Sequence, residues 1–147
     1  MVLSVDPGVH SMAIACWEGT RLAWAGNAEQ GELYLWGYGC EPAHLYGEIP
    51  VVYPGAKGLK TDPNDLIALA YEAGRFYGCF ECPVTLIKPA GWKGQVPKDI
   101  TKKRILSLLD DAEINAIVKG GDMHNVFDAI GIGLFGLGRA KRGMVKP

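Results

Sequence analysis

Three carboxylates in this 147-residue chain stand where an acid can do chemistry. Asp6 follows Val2, Leu3, Ser4 and Val5, an apolar and β-branched run that stops at Pro7-Gly8. It therefore lies at the C-terminal tip of a short buried strand, pointing beyond the sheet edge where α/β proteins place ligands. Glu48 repeats the arrangement, because Pro50 removes a ladder donor and ends a strand over 44–48 close to Glu48. Asp128 lies in an apolar helical stretch, with Asn125 three and His124 four residues before it on the same face. An Asp before Pro-Gly also caps turns, and a strand-end Glu can simply face solvent. Two acids at the tips of neighbouring parallel strands, however, repel unless a cation lies between them, and burying an unpaired Asp128 is costly. A helix presenting His, Asn and Asp toward strand-end acids is the constellation of a metal centre.

The elements that must hold these groups follow from pattern. Met12–Trp17 and Arg21–Ala25 are apolar runs separated by Glu18-Gly19-Thr20, which predicts an antiparallel hairpin after the Asp6 turn. Glu32–Trp36 reads as a weak strand between glycines. Asp62 and Pro63 open a helix as N-cap and first residue; Leu66, Ile67, Ala70, Ala73, Gly74 and Tyr77 recur at helical spacing as its core face, and Gly78 ends it. Pro83–Ile87 follows as a buried strand, so strand, helix and strand form a parallel unit. A further helix is marked by Ile100, Arg104, Ile105, Leu108 and Leu109, and a last one runs from an N-cap at Asp122 toward Arg139. The glycines at 131, 133, 136 and 138 weaken that helix unless they serve close approach to the sheet. The fold class is α/β: a mixed central sheet, antiparallel hairpin plus parallel strands, flanked by helices.

A hydrophobic content of 48% and a net charge of −1 exclude a disordered chain, and no apolar run reaches the roughly 18–20 residues of a membrane span. The length suits one domain over 1–147. With no basic segment before Val2, a cytoplasmic location is expected, in a bacterium or a phage-infected host. Charge divides unevenly: up to Ala56, Arg21 alone faces six acids, whereas from Lys88 onward there are eleven bases and six acids. An acidic half for metals and a basic half for phosphates suit a nucleic-acid enzyme. The loop 54–61 carries Lys57 and Lys60, and Trp92 stands between Lys88, Lys93 and Lys98, a pattern for phosphate contact and base stacking. Cys79 and Cys82 form a C-x-x-C without a second ligand pair, so zinc is not expected.

Taken together, D-P-G at Asp6, E-x-P-x-x-Y from Glu48 to Tyr53, DPNDLI from Asp62 to Ile67, WKGQVPK from Trp92 to Lys98 and HNVFDAIGIGL from His124 to Leu134 resemble compact, phage-type RuvC Holliday junction resolvases. The resemblance spans nearly the whole chain. It implies an RNase H-like fold, a homodimer without membrane association, and Mg²⁺-dependent nicking of opposed strands in four-way DNA junctions, with Mn²⁺ able to substitute. Asp6, Glu48 and Asp128 match three of the family's acids. The remaining position, three residues before the last Asp, holds Asn125 here. At 100° per residue His124 stands about 40° to one side of Asp128 and Asn125 about 60° to the other, so either can face the ions. His124 also moves protons and is the expected ligand and catalytic group. Asp6 would bridge two ions ~3.5–4 Å apart in an in-line hydrolysis, and the oxygen-rich set favours Mg²⁺ or Mn²⁺ over Zn²⁺. Lys57, Lys60, Lys93, Lys98, Lys102, Lys103 and Arg104 would hold DNA backbones, with Tyr53 stacking where the junction opens. A catalytically weakened branched-DNA-binding protein is the alternative, favoured by Asn125. A sugar kinase or actin-like ATPase also starts with a strand ending in Asp-x-Gly, but needs two such domains.

Overall fold

The computed structural model describes residues 1–29, 39, 41–51 and 62–147, without the side chains of 28 and 29. The expected strand Glu32–Trp36 and the residues Tyr53, Lys57 and Lys60 lie outside that set. The described elements are β1 (Val2–Asp6), β2 (Ser11–Glu18), β3 (Arg21–Glu29), β4 (His44–Glu48), α1 (Pro63–Tyr77), β5 (Val84–Ile87), α2 (Pro89–Trp92), α3 (Lys98–Leu106), α4 (Asp111–Asn115) and α5 (Met123–Gly136).

Among the described residues a five-stranded sheet runs β3-β2-β1-β4-β5. The hairpin pairs antiparallel with β1, and β4 and β5 add parallel strands on the other side, as the sequence pattern predicts, but β5, expected to be buried, is an edge strand with only Ile87 buried and Val84 and Leu86 exposed. Because strand side chains alternate, β1 serves two layers. Leu3 and Val5 join Met12, Ile14, Leu45, Phe76 and Phe80 on the α1 face. The opposite face meets α5 and includes Ala15, Trp17, Val126, Ile130 and Leu134.

Helix α1 begins as expected, with the Asp62 side chain accepting from the Asn64 N–H. Its core face differs from the expected one. Ala73, Phe76 and Tyr77 are buried, whereas Ile67 and Tyr71 are largely exposed and Ala70 and Gly74 face outward. The helix carries two apolar stripes, and the sheet covers the one centred on Phe76.

The glycines of α5 admit aromatic rings. A Cβ on Gly133 would collide with Trp17, on Gly136 with Tyr46, and on Gly131 with Trp92. Helix α4 was not expected from periodicity, being a single capped turn: Asp110 accepts from the Glu113 N–H while Glu113 accepts from the Asp110 N–H. None of the helices among the described residues is long and apolar enough to cross a membrane.

Candidate active site: an acid cluster closed by a lysine

Register and alternation bring Asp6 and Glu48 together. Parallel pairing sets Val5 beside Gly47, so the next step sets Asp6 beside Glu48, with strands about 4.8 Å apart. Ser4 fixes which way Asp6 faces: its hydroxyl donates to the Ala129 carbonyl of α5 at 2.7 Å and accepts from the Trp17 indole at 2.8 Å. Asp6, two residues on, faces α5 as well. The same Ser4 bond anchors α5 one residue beyond Asp128. On β4, Tyr46 packs on the α5 side, which puts Glu48 there too.

The electrostatics show that the acids share one environment. Burial, then the charges of Glu48 and Asp128, hold the Asp6 carboxyl well above the usual carboxylate range, with Asp122 adding and Lys93 opposing. Glu48 is raised mainly by burial and further by Asp128, against the opposing Trp92 N–H and Lys93. Asp122 caps the last helix as expected, accepting from the His124 N–H, and its charge also reaches Asp6.

Two consecutive residues at the end of α2 engage two of the acids. The Trp92 indole donates to Glu48 Oε2 at 2.8 Å, and Lys93 Nζ donates to Asp128 Oδ2 at 2.6 Å. Burial alone would depress the Lys93 ammonium, but the hydrogen bond and charge of Asp128, with Glu48 and Asp6, outweigh it and raise its pKa, so it stays charged. Tyr77 fixes the backbone by donating to the Glu48 carbonyl at 2.8 Å. Burial, then Asp6 and Glu48, push its phenol upward, so it remains a neutral donor.

These contacts correct one expected DNA contact, the stacking of Trp92. Trp92 offers no face for stacking: it is completely buried in the space left by Gly131, and its polar edge orients Glu48. Lys93, partly exposed, pairs with Asp128, and its ammonium lies 5.0 Å from the Trp92 ring centre. Long-range contacts, not local pattern, decide both. Lys98, Lys102 and Lys103 are exposed as expected, although Lys102 Nζ also lies 4.9 Å over the Phe127 ring. Arg104 is half-buried and donates to the Gly143 carbonyl at 2.8 Å, which ties the C-terminal turn to α3. His124 is exposed, and none of the hydrogen bonds or ion pairs described joins its imidazole to Asp6, Glu48 or Asp128; Asn125, half-buried, shows none either.

Among the described residues no three His, Cys, Asp or Glu side chains stand together as a ready-made metal cage. The donor chemistry nevertheless fits a hard divalent cation, since Asp6, Glu48 and Asp128 offer only carboxylate oxygens and mutually raise the cost of their charges. The positive charge they hold at present is Lys93.

Gly131 gives a direct test of this support. Gly131→Ala drives a methyl into the buried Trp92 ring and should destabilise the protein by about 1–3 kcal/mol, as overpacking does. Gly91→Ala, with open space around its Cβ, should be close to neutral. Denaturant melts of the two variants check the contrast.

No family model matches the sequence, and no curated protein does. Solved structures do match. Thermus thermophilus RuvC in complex with a Holliday junction substrate superposes with a TM-score of 0.59 at 15% identity, covering 90% of each chain. The structure titled Thermus thermophilus RuvC gives 0.49 at the same 15% identity and 90% coverage of both chains. The sheet order, the mixed strand directions and the first of these matches define an RNase H-like fold.

Proposed function

We propose that the chain is a metal-dependent endonuclease that resolves four-way DNA junctions by nicking opposed strands, acting as a homodimer in the cytoplasm of a bacterium or phage-infected host. The observation that carries this reading is the pairing of Asp6 with Glu48 at adjacent strand ends, electrostatically coupled to Asp128, in a fold whose neighbour is seen with a Holliday junction.

Asp6, Glu48 and Asp128 would hold Mg²⁺, or Mn²⁺ in its place. When bound, such an ion polarises the phosphodiester and lowers the pKa of its water. The chain's own residues supply the rest. Trp92 orients the Glu48 carboxylate, Tyr77 fixes the Glu48 backbone, and Ser4 with Trp17 sets β1 against α5. Lys98, Lys102 and Lys103 line α3 as phosphate contacts, joined in this reading by Tyr53, Lys57 and Lys60. His124 remains the proposed mobile ligand or proton carrier.

The test is a labelled four-way junction incubated with Mg²⁺. Symmetric paired nicks on the junction but not on linear duplex are expected. Tight junction binding without nicks in Mg²⁺ or Mn²⁺ would favour the second reading, a weakened branched-DNA binder, toward which the uncharged Asn125 points. For the basic surface, Lys98→Ala, Lys102→Ala and Lys103→Ala should each lower the log–log salt slope of junction affinity by nearly one unit. Anisotropy titrations from about 50 to 200 mM salt measure it; unchanged slopes would remove these lysines from the interface.

A further inference from the structure

Lys93 belongs to two places at once. Its ammonium closes on Asp128 at 2.6 Å, with the two side chains 21% and 17% exposed. The same residue also borders a shallow, open cleft on the surface, together with Gly94, Gln95, Val96, Arg142 and Gly143. Gly94 has φ 64°, and a Cβ there would lie 3.5 Å from Arg142 Nε, so the absence of a side chain leaves the guanidinium bare toward the cleft. Among the described residues Arg142 makes no ion pair. The Gly143 N–H donates to the Trp92 carbonyl at 2.6 Å, so the C-terminal turn carrying Arg142 is fastened to the segment carrying Lys93. A cleft with one uncommitted guanidinium and one lysine stem suits a phosphodiester.

We propose that Lys93 is a tethered cation that keeps Asp128 closed to a divalent ion until a DNA phosphate in the Lys93–Arg142 cleft draws the ammonium away, so that DNA and ion bind cooperatively. This rests on the function proposed above. A lysine suits the role because its point charge rides on a flexible stem and can exchange one anion for another with little backbone motion. Without DNA, an arriving divalent cation meets an ammonium already seated on one of its three acids, and the two like charges oppose each other. With a phosphate in the cleft, Lys93 has a second anion to turn to, and Asp128 regains a free carboxylate. Linkage makes the effect reciprocal: whatever factor DNA adds to ion affinity, the ion adds to DNA affinity.

The experiment follows Ca²⁺ binding to the full chain by calorimetry, with and without a four-way junction that is recovered uncut afterwards. Ca²⁺ serves as a hard, oxygen-seeking probe. Without DNA, Lys93→Met and Lys93→Gln should each bind Ca²⁺ about tenfold more tightly than wild type, within the usual range of coupling between sites. Lys93→Arg, which keeps the charge, should stay closer to wild type. Junction DNA should tighten Ca²⁺ binding by a similar factor in wild type and far less in the Met and Gln variants. Lys93 being partly exposed, both variants are expected to fold, which circular dichroism checks. Met and Gln variants that fold but bind Ca²⁺ no more tightly than wild type would overturn the proposal while leaving the nuclease reading standing. If Asp6→Asn leaves Ca²⁺ affinity unchanged, the ion does not sit at the acids, and both readings fall.

Discussion

Asp6→Asn is expected to reduce junction nicking at least about 10²-fold, the scale of losing a group that acts in the transition state, with junction affinity measured without divalent ion unchanged. The same substitution should raise the melting temperature of the ion-free protein at about pH 8, well above the ordinary carboxylate range. These opposite signs come from one cause. Asp6 is 8% exposed and stands beside Glu48, with the charges of Asp128 and Asp122 also bearing on it. An amide keeps the volume and removes the charge, so burial cost and repulsion both fall while the exposed face of α3 is untouched. Each kcal/mol relieved moves the melting point of a domain this size by about 2–4 °C. Single-turnover nicking, anisotropy and calorimetry on one preparation check all three. A variant that nicks within tenfold of wild type would sink the metal-centre reading; one that melts lower would sink the electrostatic account.

The pH dependence of that stability follows from the same groups. Asp6 and Glu48 have folded-state pKa values raised above their ordinary values. Between the ordinary and the raised value the folded protein holds more protons than the unfolded chain, so stability falls as pH rises through that window. The ion-free wild type should therefore melt lower at about pH 8 than at about pH 5.5, above the ordinary carboxylate range, and Asp6→Asn should flatten much of that difference. A divalent ion should restore stability most at the higher pH, where the acids are charged.

What the sequence reveals of this site depends on the range of the interactions. β1 and β4 are legible because Pro7-Gly8 and Pro50 stop each strand next to an acid, and parallel pairing then makes the acids neighbours without further information. The fit of α5 to its surroundings is legible in outline too, as glycines in an apolar helix imply close approach. Which rings approach them is not. Trp92 among lysines has the local pattern of a stacking platform, yet its place is set by Gly131, 39 positions away, and Lys93 finds Asp128 across 35 positions. The apolar positions Ile67 and Phe76 look alike in α1, and only the position of the sheet decides that Phe76 is the one buried. The choice between His124 and Asn125 turns on the rotation of α5, fixed by Val126, Ala129 and Ile130 against the sheet, which leaves His124 exposed. Glu113 gave a local signal in the D-D-A-E capping box, but its second role needed the C-terminus of α5 to be in place.

That second role leads to the largest expected stability effect. Glu113 is 2% exposed and accepts from the Leu22 N–H at 2.8 Å and the Asp110 N–H at 3.0 Å, while Arg139 pairs with both of its oxygens. Arg139 also donates to the Thr20 and Leu108 carbonyls, so one carboxylate and one guanidinium fasten the β2–β3 hairpin, α4 and the end of α5. Burial alone would raise the Glu113 carboxyl, but Arg139 and the two N–H donors outweigh it and lower its pKa. Its contribution is therefore present above the ordinary carboxylate range and is lost as pH falls through the lowered value. Glu113→Ala takes from a partly buried guanidinium, which keeps the Thr20 and Leu108 carbonyls, and from two N–H groups their shared acceptor, and should cost about 3 kcal/mol, a large share of a typical 5–15 kcal/mol. Glu113→Gln keeps an acceptor for Leu22 but drops the charge, so it should cost less than the alanine change. In a double-mutant cycle, Arg139→Ala should destabilise the Glu113→Gln protein less than it does wild type, because the pair it breaks is already weakened. Urea melts at pH 7 would measure all four proteins. Strictly additive losses would mean that the two side chains act separately and that Arg139 serves the hairpin through its carbonyl contacts alone.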